Sequence, residues 1–196
     1  MASAEEVLDF WFGRPADPVR NPESARQRDF WFEKDTAFDE EFRRRFLALH
    51  ERAAAGELDA WKDEPRSCLA LLLLLDQLPR NVFRGTPRAF ATDARAREVA
   101  RHALARGLDL ALPPVWRWFV YLPFEHSEDV YDQRLSVFLF ELLALNQPGQ
   151  REPLDYAVRH RDIIERFGRF PHRNATLERP GTPEEEAFLQ EPGSSF

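Results

Sequence analysis

Three short polar strings interrupt an otherwise apolar and helix-rich sequence: DQLPRNVFRG at 76–85, LPFEHSED at 122–129 and RFGRFPHRN at 166–174. Their side chains suit chemistry on a small anion. Arg80, Arg84, Arg169 and Arg173 offer planar forks of donors that match a carboxylate or a phosphate. Asp76, Asn81 and Asn174 can orient such a guest. His126 and His172 are of the side-chain type whose unperturbed pKa lies near neutrality, and Glu128 beside His126 is placed to orient a general base. Each string is tethered to an apolar run, so the expectation is one polar pocket with hydrophobic walls. Its candidate catalytic residues are His126, Glu128 and His172; its candidate ligand contacts are Asp76, Arg80, Asn81, Arg84, His160, Arg169, Arg173 and Asn174.

Each string also has a structural reading, and the sequence leaves both open. Arg80 and Asn81 can cap the last carbonyls of a preceding helix while Asp76 pairs with an arginine. Ser127 can act as an N-cap, with Glu128 and Asp129 as first-turn acids that complement a helix dipole. His160 falls on the apolar side of its helix, where a histidine is ordinarily a satisfied core residue. The turn after Gly168, pinned by Phe170 and Pro171, presents polar atoms with little loss of entropy, which suits a binding loop. His126, Glu128, His160 and His172 are adequate metal ligands as residue types, but no two of them form an i, i+3 or i, i+4 pair that presets a site on one helix, so no metal is expected. Glycine-rich phosphate loops, GxSxG and CxxC are missing, and no cofactor is expected either.

The elements that must position these residues are helices. Apolar residues recur with helical period along the chain, whereas alternating strand patterns and Asn-Gly hairpin turns are missing. Ser3 and Glu6 have capping-box spacing, and Gly13 suits a helix stop, giving a helix near 3–12. Residues 36–55 carry Phe38, Phe42, Phe46 and Leu49 on one face. Pro65 opens a helix over 65–78 that is apolar all round and therefore belongs in a core, with Pro79 expected to turn the chain. Further helices are expected over 92–107, capped by Thr92, then over 114–122, 127–146 and 153–167, with a short last one after Thr182. The expected fold is all-α, with seven or eight helices in one domain over 1–196.

Composition narrows the function classes. A net charge of −7 in 196 residues argues against nonspecific nucleic-acid binding. Lysine occurs only as Lys34 and Lys62, so the many arginines reflect a general skew, and only an arginine's position carries meaning. Cys68 alone cannot form an internal disulfide, the N-terminus lacks the basic and apolar regions of a signal peptide, and the longest apolar run, 68–75, is far short of a membrane span. A cytoplasmic protein is the expectation, without membrane or nucleic-acid partners.

DQLPRNVFRGTPRAFATD, YLPFEHSED and HRDIIERFGRFPHRNA, with VLDFWFG near the start and TPEEEAFL near the end, resemble domain of unknown function family 924 over essentially the whole chain. The resemblance implies a tetratricopeptide-like helical fold; it implies no activity, cofactor or catalytic set. After NATL the family usually reads Gly-Arg and then Ser-Thr, whereas this chain has Glu178 before Arg179 and Gly181 before Thr182. Two functions therefore stand side by side: a pocket for a small anionic molecule, with histidine-dependent proton transfer, or a tetratricopeptide-like groove for a peptide whose carboxylate the same arginines would clamp.

Overall fold

The structure, a computed structural model, describes residues 2–147 and 151–195. Among these it is all-α, with no strand and eight helices joined by turns and short 3₁₀ segments. The chain forms two compact units, one from residues up to Arg84 together with Arg88–Pro123, the other from Gly85–Pro87 together with residues from Phe124 onward.

In the first unit, α1 (Ala4–Phe12) starts at a complete Ser3/Glu6 capping box and stops at Gly13, whose φ of 95° suits a residue without a Cβ. Helix α2 (Thr36–Ala54) begins at Asp35, whose carboxylate accepts from the N–H groups of Ala37 and Phe38. Rings from α1, α2 and the Trp116–Phe119 region interlock: Phe12 stacks on Trp116 at 4.3 Å, and Trp31 meets Phe119 edge-on at 4.9 Å. Two of the buried indoles keep hydrogen bonds, Trp116 Nε1 donating to the Ser24 carbonyl at 2.7 Å and Trp31 Nε1 to the Trp11 carbonyl at 3.1 Å.

The all-apolar helix departs from the sequence expectation. Helix α3 does not end before Pro79. It runs as Pro65–Leu72, widens into a π-helical turn over Leu73–Gln77, and continues as Leu78–Val82 with Pro79 inside it. Proline has no N–H to give the Leu75 carbonyl four residues back, and in the widened turn the Leu78 N–H reaches Leu73 instead of Leu74. Two carbonyls thus lose their helical donors. Side chains from neighbouring helices replace them: His50 Nδ1 on α2 donates to Leu74 at 2.9 Å, and Thr92 Oγ1 donates to Leu75 at 2.6 Å. Thr92 is consequently not a side-chain cap for α4 (Asp93–Ala105), because its hydroxyl is committed to α3. Burial holds His50 below the usual imidazole range.

Helix α5 (Pro114–Glu125) runs through Pro123, beyond the expected end at 122. The second unit then holds α6 (Val130–Asn146), α7 (Glu152–Phe167) and α8 (Pro183–Phe188), with α6 and α7 packed on each other. Ile163, Ile164 and Phe170 form its core, with Val130, Phe167 and Phe188 against them. Asp129, not Ser127, is the N-cap of α6: its Oδ1 accepts from Tyr131 and Asp132, while the Ser127 hydroxyl donates to Asp132 at 2.8 Å. Gly168 closes α7 in the left-handed conformation, and Thr182 with Glu185 builds a capping box on α8.

Candidate functional site

Phe170 is the fixed point around which the second unit's candidate residues gather. Gly168 ends α7, and the chain then folds back so that the fully buried Phe170 ring enters the core just before the 3₁₀ turn Pro171–Arg173. Three side chains able to carry positive charge lean on that one ring. The Arg173 guanidinium lies 4.4 Å from its centroid, His172 5.5 Å and His160, from α7, 5.6 Å edge-on. The backbone of Phe170 is also gripped at both ends: its N–H donates to Glu128 Oε1 at 2.8 Å, and its carbonyl accepts from Arg179 at 3.1 Å.

Glu128 and Arg179 close this frame with two parallel bonds of 2.7 and 2.9 Å. The pairing, together with the Phe170 N–H, holds the Glu128 carboxyl below its ordinary range against the opposing effect of burial. Arg179 Nε also donates to Asn174 Oδ1 at 3.0 Å, and Asn174 Nδ2 donates to Glu185 at 3.3 Å. Glu185 in turn grips Arg169 at 2.6 and 2.7 Å, which with its own capping bonds pushes its carboxyl down to about 2. Arg169, Asn174, Arg179, Glu128 and Glu185 therefore form one continuous charged network that ties the 168–182 loop to the start of α6 and α8.

The histidines are of a different kind. His160 Nδ1 sits 2.9 Å from the Tyr156 carbonyl and 3.2 Å from Glu125 Oε1. A carbonyl only accepts, so Nδ1 carries the proton and the neutral ring has its lone pair on Nε2. Burial drives His160 down to about 3, with His126, Arg173 and His172 adding to the fall. Burial and then Arg173 lower His172 to about 4. At neutral pH both rings are uncharged, and Arg173 is the fixed cation of the group. The Glu128 carboxylate on the Phe170 N–H places the LPFEHSED and RFGRFPHRN strings in one neighbourhood.

In the first unit, the predicted ligand residues meet one another and their own helices. Arg80 donates to both carboxylate oxygens of Asp93 at 2.9 and 3.0 Å, lies 3.1 Å from Asp76 Oδ1 and bonds the Asp76 carbonyl. Asn81 donates to Asp39 at 2.7 Å, and Arg84 reaches the same carboxylate at 3.1 Å. Cys68 is buried and its thiol is pushed up to about 12, so it is no nucleophile at neutral pH. Among the described residues no group of three or more His, Cys, Asp or Glu has a geometry to hold a metal ion, and no helix is long and apolar enough to cross a membrane.

Sequence reasoning missed Arg179, Glu125 and Gln133. Arg179 lies in irregular chain with no periodic signal. Gln133 sits within an apolar helix, and its amide donates to the carbonyls of Glu125 and Ser127 at 2.6 Å each, capping the end of α5. The unusual Glu178 did carry a signal. Among the described residues it is the non-glycine residue at positive φ, 53°, directly before the Arg179 that turns back to Glu128.

No curated protein matches this chain. A solved structure, the protein of unknown function ATU0120 from Agrobacterium tumefaciens, is similar to it with a TM-score of 0.82 and 46% sequence identity, covering 95% of this chain and 96% of that one. The family model described as bacterial protein of unknown function (DUF924) matches residues 7–193, and the chain therefore belongs to that family.

Proposed function

We propose that the second unit binds a small anionic molecule beside Arg173, with His172 and His126 available to exchange a proton with it and His160 buried behind them. The observation that carries this reading is the set of three cation-capable side chains on the single Phe170 ring. Glu128 and Arg179 act as positioning residues that hold Phe170, and through it the turn bearing His172 and Arg173. Arg169 and Asn174 hold the same turn from the α8 side. An anion near the ring would favour the protonated form of His172 and raise its pKa from about 4, so binding takes up a proton and tightens as pH falls.

Titration calorimetry with inorganic phosphate and with small mono- and dicarboxylates, in two buffers of different ionisation heat, tests this. Binding with proton uptake, lost in Arg173→Gln, is the expected result. Absence of binding by every anion, or binding that Arg173→Gln leaves intact, overturns the reading. The other reading, a tetratricopeptide-like module for a peptide carboxylate, draws on the same arginine and the all-α fold. It predicts that a peptide with a free C-terminus binds and its amidated form does not, while the small anions do nothing.

A further inference from the structure

Helix α6 buries Phe140 and Leu143 but also buries polar side chains and leaves large apolar ones outside. Asp132, Gln133 and Ser136 are buried, whereas Tyr131, Phe138, Leu142 and Leu145 stand 75, 53, 41 and 75% exposed. Two of the buried polar residues are explained: Gln133 caps α5 and Asp132 takes the Ser127 hydroxyl. The outward apolar residues are not. Steps of seven, four and three residues place them on one stripe, with the exposed Arg134 and Glu141 between them.

We propose that this stripe seats a second copy of the chain, docked antiparallel about a two-fold axis at Phe138. The order of residues is close to palindromic about that position. Seven residues before it is Tyr131 and seven after it is Leu145; four before is Arg134, and three and four after are Glu141 and Leu142. A two-fold axis therefore lays Phe138 on Phe138, Tyr131 on Leu145 of the second copy, and Arg134 beside Glu141 of the second copy, each of the last two contacts occurring twice. The charges suit this arrangement. Among the described residues Glu141 makes no ion pair, and Arg134 pairs with Glu165 at 3.1–3.2 Å in an exposed contact worth little in water. The size suits it as well: the four apolar side chains leave on the order of 500 Å² in water, at the upper end of what monomers expose. With the Arg134 and Glu141 rim the face approaches the roughly 800 Å² per partner of a stable interface.

Sedimentation equilibrium of the full chain tests the proposal. The wild type sediments as a dimer. Phe138→Glu sets two carboxylates against each other on the axis and raises the dimer dissociation constant about a hundredfold, with helical circular dichroism unchanged because the side chain faces solvent. Arg134→Glu alone weakens the dimer, and adding Glu141→Arg restores it, which a merely structural role for either residue would not do. A monomeric wild type overturns the proposal, as does a dimer that survives Phe138→Glu. A monomer that binds anionic phospholipid vesicles through Phe138 also overturns it and assigns the stripe to a lipid surface.

Discussion

Arg80 in the first unit and Arg179 in the second are each held by two parallel bonds from one carboxylate, yet the two pairs secure different things. Arg80 lies between Asp76 and Asp93 at the end of a helix buried on every side, where the pairing joins α3 to α4. Arg179 joins irregular chain to a helix start, and its partners hold one aromatic ring by its backbone. His160 and His172 stand around that ring, whereas Asp76 and Asp93 stand beside Arg80. The same residue types thus lock helices together in one unit and shape a turn in the other. In the first case two helices are joined; in the second a turn is fixed around one buried ring.

The strongest way to break this contrast is Arg80→Ala. It leaves the buried Asp76 and Asp93 without their arginine and is expected to cost about 3–5 kcal/mol in urea unfolding. A loss below about 1 kcal/mol would mean that the pair is not a structural lock.

Acid is expected to act next, and on the second unit first. His160 and His172 stay neutral in the folded protein down to about 3 and about 4, while the unfolded chain takes up protons below its ordinary imidazole value of 6.5. Between those limits the unfolded state binds more protons, so stability is full above pH 6.5 and falls as pH falls. Each group contributes a slope of up to about 1.4 kcal/mol per pH unit, for a loss of about 2–3 kcal/mol by pH 4.5. The lowered carboxyls of Glu128 and Glu185 add a second loss that begins only below their ordinary 4.5, ending for Glu185 near 2. Every tryptophan, from Trp11 to Trp118, lies in the first unit, so amide exchange of α6 and α7 should rise at pH 5 while tryptophan fluorescence holds. Simultaneous change in both signals would show that the units respond as one.

Two smaller effects sharpen the comparison. Thr92→Val removes the donor to the Leu75 carbonyl beside the π-turn and should destabilise by about 1–2 kcal/mol, measured by urea midpoint. Glu178→Gly relieves a left-handed residue beside Arg179 and should stabilise by about 0.5–1 kcal/mol, since the gain in backbone freedom of the unfolded glycine offsets part of the relief. If Glu178→Gly destabilises instead, the Glu178 side chain has a role that its backbone conformation does not reveal.

Local features with a local physical cause were legible in the sequence. The Ser3/Glu6 box, the stops at Gly13 and Gly168, the phenylalanine face of α2 and the buried apolar helix all follow from spacing and side-chain type, because their determinants lie within one or two turns. Chain-neighbour rules failed where a distant group intervened. Pro79 was expected to end α3, but His50 and Thr92, 24 and 17 residues from the carbonyls they serve, satisfy what proline leaves open. Ser127 was expected to cap α6, but Asp132 claims its hydroxyl and Asp129 takes the cap. The sequence by itself determined an all-α chain, its helix boundaries to within a few residues and the strings where polar groups concentrate. Only tertiary structure decided that Arg80 faces Asp93, that Phe170 collects His160, His172 and Arg173, and that α6 turns its polar residues inward, because each depends on partners brought together by folding across long stretches of chain.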